Sequence, residues 1–230
     1  MEAIILAGGF GTRLREVVPD LPKPMAPIAG RPFLEILLAS LARKGMQRVI
    51  LSLGFMAEKI TAHFGDSFAG MALDYVVERE PLGTGGAVRL AMTHCNADHV
   101  FVFNGDTFLD IEAGAVESHW QKHRHPIIVG REVLETARYG RLLIERGEVV
   151  GFAEKGAKGP GTINAGCYVF NRGQLVEFAL GQAFSLEADY LAWAVAEERF
   201  DLFPTRGQFI DIGVPDDYAR AQIDLAGLFP

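Results

Sequence analysis

Two hydrophobic rhythms divide this chain. Short apolar runs at Ala3–Leu6, Arg48–Gly54, Ala72–Val77, His99–Phe103 and Pro126–Val129 predict buried strands. Between them lie stretches of helical spacing. In Pro32–Lys44, Leu34, Leu37, Leu38 and Leu41 fall at i, i+3, i+4 and i+7, and Gly45 is a natural stop. Ala57–Phe64, Gly86–Thr93 and Ile111–Arg124 continue the alternation. Such alternation predicts an α/β fold with a doubly wound, mostly parallel, Rossmann-like sheet, whose ligands sit beyond the carboxyl ends of the strands.

From Tyr139 the rhythm changes. Arg141–Glu145 and Val149–Ala153, joined by Arg146-Gly147-Glu148, predict a β-hairpin, and Thr162–Asn171 a further strand. Helices are expected over Gly173–Leu180 and Leu186–Arg199, a strand around Phe209-Ile210-Asp211, and a closing helix from Pro215. This second half reads as a β-rich insertion on the same sheet, covering one side of the site. One domain over residues 1–230 is expected.

Composition narrows the functional classes. With 230 residues and 49% hydrophobic content, the chain can bury a full core without staples. A net charge of −7 argues against a non-specific nucleic-acid binder, so local Arg and Lys point to a small anionic ligand. Two cysteines, Cys95 and Cys167, form no disulfide framework and no metal spacing, which fits a reducing compartment. The six histidines read as surface or scaffold residues. The chain opens directly on its first strand and has no apolar run near the ~18 residues of a membrane span. A cytoplasmic protein with no membrane partner is expected.

The most informative stretch follows the first strand. In Leu6-Ala7-Gly8-Gly9-Phe10-Gly11-Thr12-Arg13-Leu14, three glycines in four positions let the backbone turn sharply and approach a ligand. Free N–H groups in such a turn suit phosphate oxygens, and Arg13 and Lys23 add positive charge. The dinucleotide spacing G-x-G-x-x-G fails because position 14 is Leu, so a nucleoside triphosphate fits better. A plain strand-to-helix turn is the alternative.

Three further stretches carry chemistry. Glu78-Arg79-Glu80-Pro81-Leu82-Gly83-Thr84-Gly85-Gly86 opens a helix whose N–H groups can meet an anion or a base edge, or can merely cap it. In Asn104-Gly105-Asp106-Thr107, Asp106 follows an apolar strand and projects toward the cleft, or caps the next helix. Asp211, in Phe209-Ile210-Asp211-Ile212-Gly213, is a second carboxylate exposed between apolar neighbours, and Mg²⁺ needs only one or two carboxylates beside substrate phosphates.

Gly8–Leu14 together with Pro22-Lys23-Pro24 closely resembles the signature of the sugar-1-phosphate nucleotidylyltransferases, and the other segments follow in that family's order over almost the whole chain. The resemblance implies a GT-A-like nucleotidyltransferase fold in which about residues 1–135 hold the nucleotide and about 136–230 the sugar phosphate. It implies Arg13 and Lys23 as catalytic cations. Leu6, Ala7, Gly8, Gly9, Gly11, Thr12, Glu78, Gly83, Thr84, Asn104 and Gly105 would surround the nucleotide, and Asp106 and Asp211 would hold Mg²⁺. In Phe152-Ala153-Glu154-Lys155-Gly156, Glu154 would meet sugar hydroxyls and Lys155 the sugar phosphate, with Asn164 as a further hydroxyl partner. Glu187 and Asp189 either contact the sugar or belong to a capping box that starts at Ser185.

Lys23-Pro24-Met25-Ala26-Pro27, Arg31-Pro32-Phe33-Leu34 and Asn104–Phe108 resemble most the branch that joins GTP to D-glycero-D-manno-heptose 1-phosphate for surface polysaccharides. The resemblance implies transfer of GMP with release of pyrophosphate, and allows a homodimer. The same reaction on another triphosphate and hexose 1-phosphate, or a silent nucleotide-sugar-binding subunit, are the alternatives.

Overall fold

The computed structural model describes residues 1–9, 18, 20–153, 156 and 158–228. Its strands are β1 (Glu2–Leu6), β2 (Pro27–Ile28), β3 (Arg31–Pro32), β4 (Arg48–Leu53), β5 (Ser67–Phe68), β6 (Met71–Val77), β7 (His99–Asn104), β8 (Thr107–Leu109), β9 (Ile127–Val133), β10 (Leu142–Glu145), β11 (Glu148–Phe152), β12 (Gly161–Asn171), β13 (Asp201–Thr205) and β14 (Phe209–Asp211). Its helices are α1 (Phe33–Arg43), α2 (Ala57–Phe64), α3 (Gly83–Ala91), α4 (Ala113–His123), α5 (Ala192–Glu197) and α6 (Pro215–Asp224).

One mixed sheet of ten strands runs in the order β10-β11-β13-β9-β12-β7-β1-β4-β6-β5. β7, β1, β4 and β6 are mutually parallel neighbours, the arrangement expected of the first half. β12 enters antiparallel between β7 and β9, so the second half of the chain completes the sheet from inside. Side chains alternate along each central strand, and that alternation builds two layers. Ile5, Leu51, Phe101 and Val169 point to the layer covered by α1, α2 and α4. Ile4, Ile50, Val102 and Phe170 point to the layer covered by α3 and residues 186–197.

A third, smaller core brings the chain's end to its beginning. Ala26, Ile28, Phe33 and Ile36 pack against Phe108, Ile210, Ile212, Tyr218 and Ala221. This cluster holds the β8–β14 ribbon, in which Asp211 stands opposite Thr107. Asp106 and Asp211 therefore become neighbours although 105 positions separate them in sequence.

Three sequence expectations need correction. Gly173–Leu180 forms turns rather than a helix. Asn171 accepts the Gly173 N–H and donates to Gln174, local bonds that compete with helical ones, while Leu175 is drawn into the core. Leu186–Arg199 divides into a π-helical turn, Leu186–Leu191, followed by α5. β13 was not expected. Its first residue, Asp201, is buried and accepts from Arg199 Nε and His119 Nε2, both at 2.9 Å.

Burial pushes the Asp201 carboxyl up, but Arg199 and His119 more than offset it and hold the group below its ordinary value. A carboxylate lowered on folding stabilises above its unfolded value, about pH 4, and loses that contribution as pH falls through the folded one. Asp201→Asn should cost about 2 kcal/mol in urea unfolding at neutral pH. The gap to the parent should close in strong acid, and a gap that persists there would contradict this account.

Candidate active site

The carboxyl ends of β1, β4, β6 and β7 open into a cleft of about 640 Å³. Leu6, Ala7, Gly8, Gly9, Lys23, Glu78, Gly83, Thr84, Asn104, Gly105 and Asp106 all line it. A second pocket of about 180 Å³ adjoins it, sharing Asn104 and Glu187 as walls, and contains Asn164 and Asp211. Gly11, Thr12, Arg13, Glu154 and Lys155 lie outside the described residues.

Close backbone packing forms the cleft floor. Gly105 N–H donates to the Leu6 carbonyl at 2.9 Å, and a Cβ at 105 would stand 2.4 Å from that oxygen. Only glycine fits there. The wall after β6 is shaped differently. Gly83 has φ +67°, and a Cβ there would stand 2.5 Å from the Phe184 carbonyl oxygen. Thr84 Oγ1 accepts the Leu186 N–H at 2.9 Å. The Gly83–Gly86 loop and the 184–187 segment are thus one unit, and Thr84 serves that tie as well as lining the cleft.

Glu78 has a half-buried carboxylate in this wall. It accepts the Leu82 N–H at 2.9 Å and, at 3.5 Å, the Ser52 hydroxyl, with no ion-pair partner among the described residues. Burial raises its pKa, only partly offset by these two donors.

Charge is concentrated where the two pockets meet. Lys23 Nζ lies 2.5 Å from Asp106 Oδ2. A methyl group built on Gly213 would be 2.7 Å from Asp211 Oδ1 and 3.2 Å from Lys23 Nζ, so the ammonium also approaches the second carboxylate. Asp211 is nonetheless raised in pKa by burial and by Asp106, against the Gly213 N–H and Lys23. Among the described residues, Lys23 contacts Asp106, and Arg138 acts on Asp211 from the smaller pocket. Among the described residues, no three His, Cys, Asp or Glu side chains gather as a metal cluster. Among the described residues, the donor set is two hard oxygen ligands beside Lys23. That suits a cation taking its remaining ligands from phosphates and water.

The structure separates the two acidic residues left open by sequence. Ser185 Oγ accepts the Ala188 N–H, and Asp189 Oδ2 accepts the Ser185 N–H at 2.7 Å, so Asp189 belongs to the cap. Glu187 turns into the site, accepting from Tyr168 Oη at 3.2 Å and Asn164 Nδ2 at 3.3 Å. Burial, then Glu187, raises the Tyr168 phenol, which stays a donor at neutral pH. Sequence reading missed Ser52, Arg138 and Tyr139 on the pocket walls. None lies in a glycine-rich motif, and only the fold collects them.

Similarity to known proteins agrees with this geometry. Residues 2–227 match the nucleotidyl transferase family model. The chain is 40% identical over 226 residues to a D-glycero-alpha-D-manno-heptose 1-phosphate guanylyltransferase of Aneurinibacillus thermoaerophilus, covering 98% of each protein. It is 38% identical to the Campylobacter jejuni protein of that name, covering 95% of this chain and 97% of the relative. HddC from Yersinia pseudotuberculosis, solved in complex with GMP-PN, superposes with a TM-score of 0.86 at 38% identity, covering 96% and 97% of the two chains. No described helix is long and apolar enough to cross a membrane.

A carboxylate raised on folding destabilises the folded state at neutral pH. Its favourable contribution exists below about pH 4 and disappears as pH rises through the folded value. In buffer free of divalent cations, Asp211→Asn, whose amide oxygen can still accept the Gly213 N–H, should melt above the parent at neutral pH. The advantage should shrink toward pH 4. A variant that melts lower at neutral pH would contradict this account of Asp211.

Proposed function

Because this chain belongs to the nucleotidyl transferase family, we propose that it transfers GMP from GTP to D-glycero-D-manno-heptose 1-phosphate and releases pyrophosphate. One observation carries the proposal. A nucleotide-sized cleft lined by Lys23 and Asp106 adjoins a sugar-sized pocket lined by Asp211, with Asn104 and Glu187 as shared walls. Near-full-length relatives that carry this enzyme name supply the substrate pair.

The nucleophile is a phosphate oxygen of the sugar phosphate, already anionic, so no general base or covalent enzyme intermediate is needed. It attacks the α-phosphorus of GTP in line. The new P–O bond forms as the bond to the β-phosphate bridging oxygen breaks, and its electrons leave with pyrophosphate. Bringing two polyanions together is the difficulty, and catalysis is positioning with charge neutralisation. The glycine turn after β1, with Gly8, Gly9, Gly11 and Thr12, offers backbone N–H groups to the triphosphate, and Arg13 meets the departing pyrophosphate. Lys23 faces the reacting phosphates. Glu154, Lys155 and Asn164 hold the sugar and its phosphate, within the part formed by about residues 136–230. Asp106 and Asp211 would hold Mg²⁺, which would supply Lewis-acid charge to the phosphates. The reaction is placed in the cytoplasm, for surface-polysaccharide precursors.

Glu78 explains the choice of guanine. A carboxylate accepts about four hydrogen bonds, and the fold occupies two positions on Glu78, one of them long. Guanine presents N1–H and N2–H side by side, two donors for one carboxylate. Uracil and thymine flank their single N–H with carbonyls, which a carboxylate repels. Adenine sets an acceptor beside its amine. Glu78→Gln keeps an acceptor for Leu82 but should lower the GTP-over-UTP ratio of kcat/KM about tenfold. An unchanged ratio would remove Glu78 from base selection.

The reaction itself is tested by pyrophosphate release with Mg²⁺. GTP, ATP, CTP, UTP and dTTP are each paired with D-glycero-α-D-manno-heptose 1-phosphate and with mannose 1-phosphate. Release with GTP and the heptose is expected. Release with another pair only would overturn the substrates while keeping the chemistry. No release with any pair would favour a silent nucleotide-sugar-binding subunit.

A further inference from the structure

The smaller pocket must admit a phosphate beside Glu187 and Asp211, two carboxylates on its own walls. Among the described residues lining it, the sole cation is Arg138. No motif pointed to it. Arg138 Nη2 donates to Asp217 Oδ2 at 2.6 Å, and its guanidinium carbon lies 5.6 Å from the Tyr139 ring centre. Asp217 lies in the first turn of α6 at 3% exposure and also faces Arg220 at 3.3 Å. A surface Arg–Asp pair would let the arginine wander. Here the carboxylate is buried, and releasing Arg138 would weaken its compensation. The guanidinium is therefore anchored through one nitrogen, while a guanidinium carries five N–H donors. Anchoring a fork of donors at a pocket wall before the ligand arrives is preorganisation for an anion, and phosphate matches that fork.

We propose that Arg138 is a substrate-contacting residue that holds the phosphate of the sugar 1-phosphate, and that Asp217 is the positioning residue that aims it. The inference rests on the sugar-phosphate transfer proposed above. It adds a cation in the smaller pocket, in addition to Lys23 of the larger cleft. It also assigns α6 a task at the site beyond closing the small core.

The test uses the full chain and reads both substrates. Arg138→Gln should raise the KM for the sugar 1-phosphate on the order of tenfold while leaving that for GTP unchanged. Arg138→Lys keeps charge but loses the fork, and should fall between parent and Arg138→Gln. Asp217→Asn should raise the same KM by a smaller factor with kcat near the parent's. Calorimetric titration of the sugar 1-phosphate into enzyme loaded with a non-hydrolysable GTP analogue should show the same order without turnover. The competing role is a simple tie between the segment around Arg138 and α6. That role predicts a lower melting temperature in folded Arg138→Gln and Arg138→Lys with the parent's KM for both substrates, and this result would overturn the inference while leaving the reaction intact. A parent that turns over no sugar 1-phosphate would overturn the reaction first, and this inference with it.

Discussion

Everything at the centre of this protein follows from placing two carboxylates, Asp106 and Asp211, within the field of a single lysine. Burial and repulsion from Asp106 oppose ionisation of Asp211. The arrangement makes sense in a protein that meets polyanions. In the proposed reaction, a phosphate-bound cation would add positive charge beside these two carboxylates. The three groups come from distant parts of the chain: a single turn around Lys23, the bend after β7, and the end of β14. The small core of Ile28, Phe108, Ile210 and Tyr218 brings them together.

The mixed sheet serves the same end. Parallel β1, β4, β6 and β7 direct their carboxyl ends, and hence their loops, toward one opening. β12 fits antiparallel beside β7 and places Asn164 and Tyr168 beside Glu187, which turns into the site. The bond from Leu186 to Thr84 joins the Gly83–Gly86 loop to the segment that carries Glu187, so the cleft and the adjoining pocket share a support. Such shared supports matter when chemistry depends on alignment rather than on an enzyme nucleophile.

Local signals made most strands, most helices and the placement of Asp106 and Asp211 at strand ends readable from sequence. Each sits at the end of an apolar run or beside glycine, where residue type alone limits the conformation. β13 escaped because Asp201-Leu-Phe-Pro-Thr has a charge at its head and a proline inside, both poor strand formers. It is a strand only because β9 and β11 flank it and Arg199 and His119 compensate its buried aspartate. Gly173–Leu180 has helical composition, but Asn171 and the burial of Leu175 redirect it. Glu187 and Asp189 share one capping pattern, and only the direction of each side chain separates cap from site. Arg138 had no signal, since its significance depends on a buried partner 79 positions away.

The most direct measurement is Mn²⁺ binding followed by electron paramagnetic resonance, with GTP present, in the parent and in Asp106→Asn and Asp211→Asn. If these two carboxylates form the cation site, each substitution alone should weaken Mn²⁺ binding on the order of tenfold or more. Parent-like Mn²⁺ binding in both variants would contradict the account at its centre.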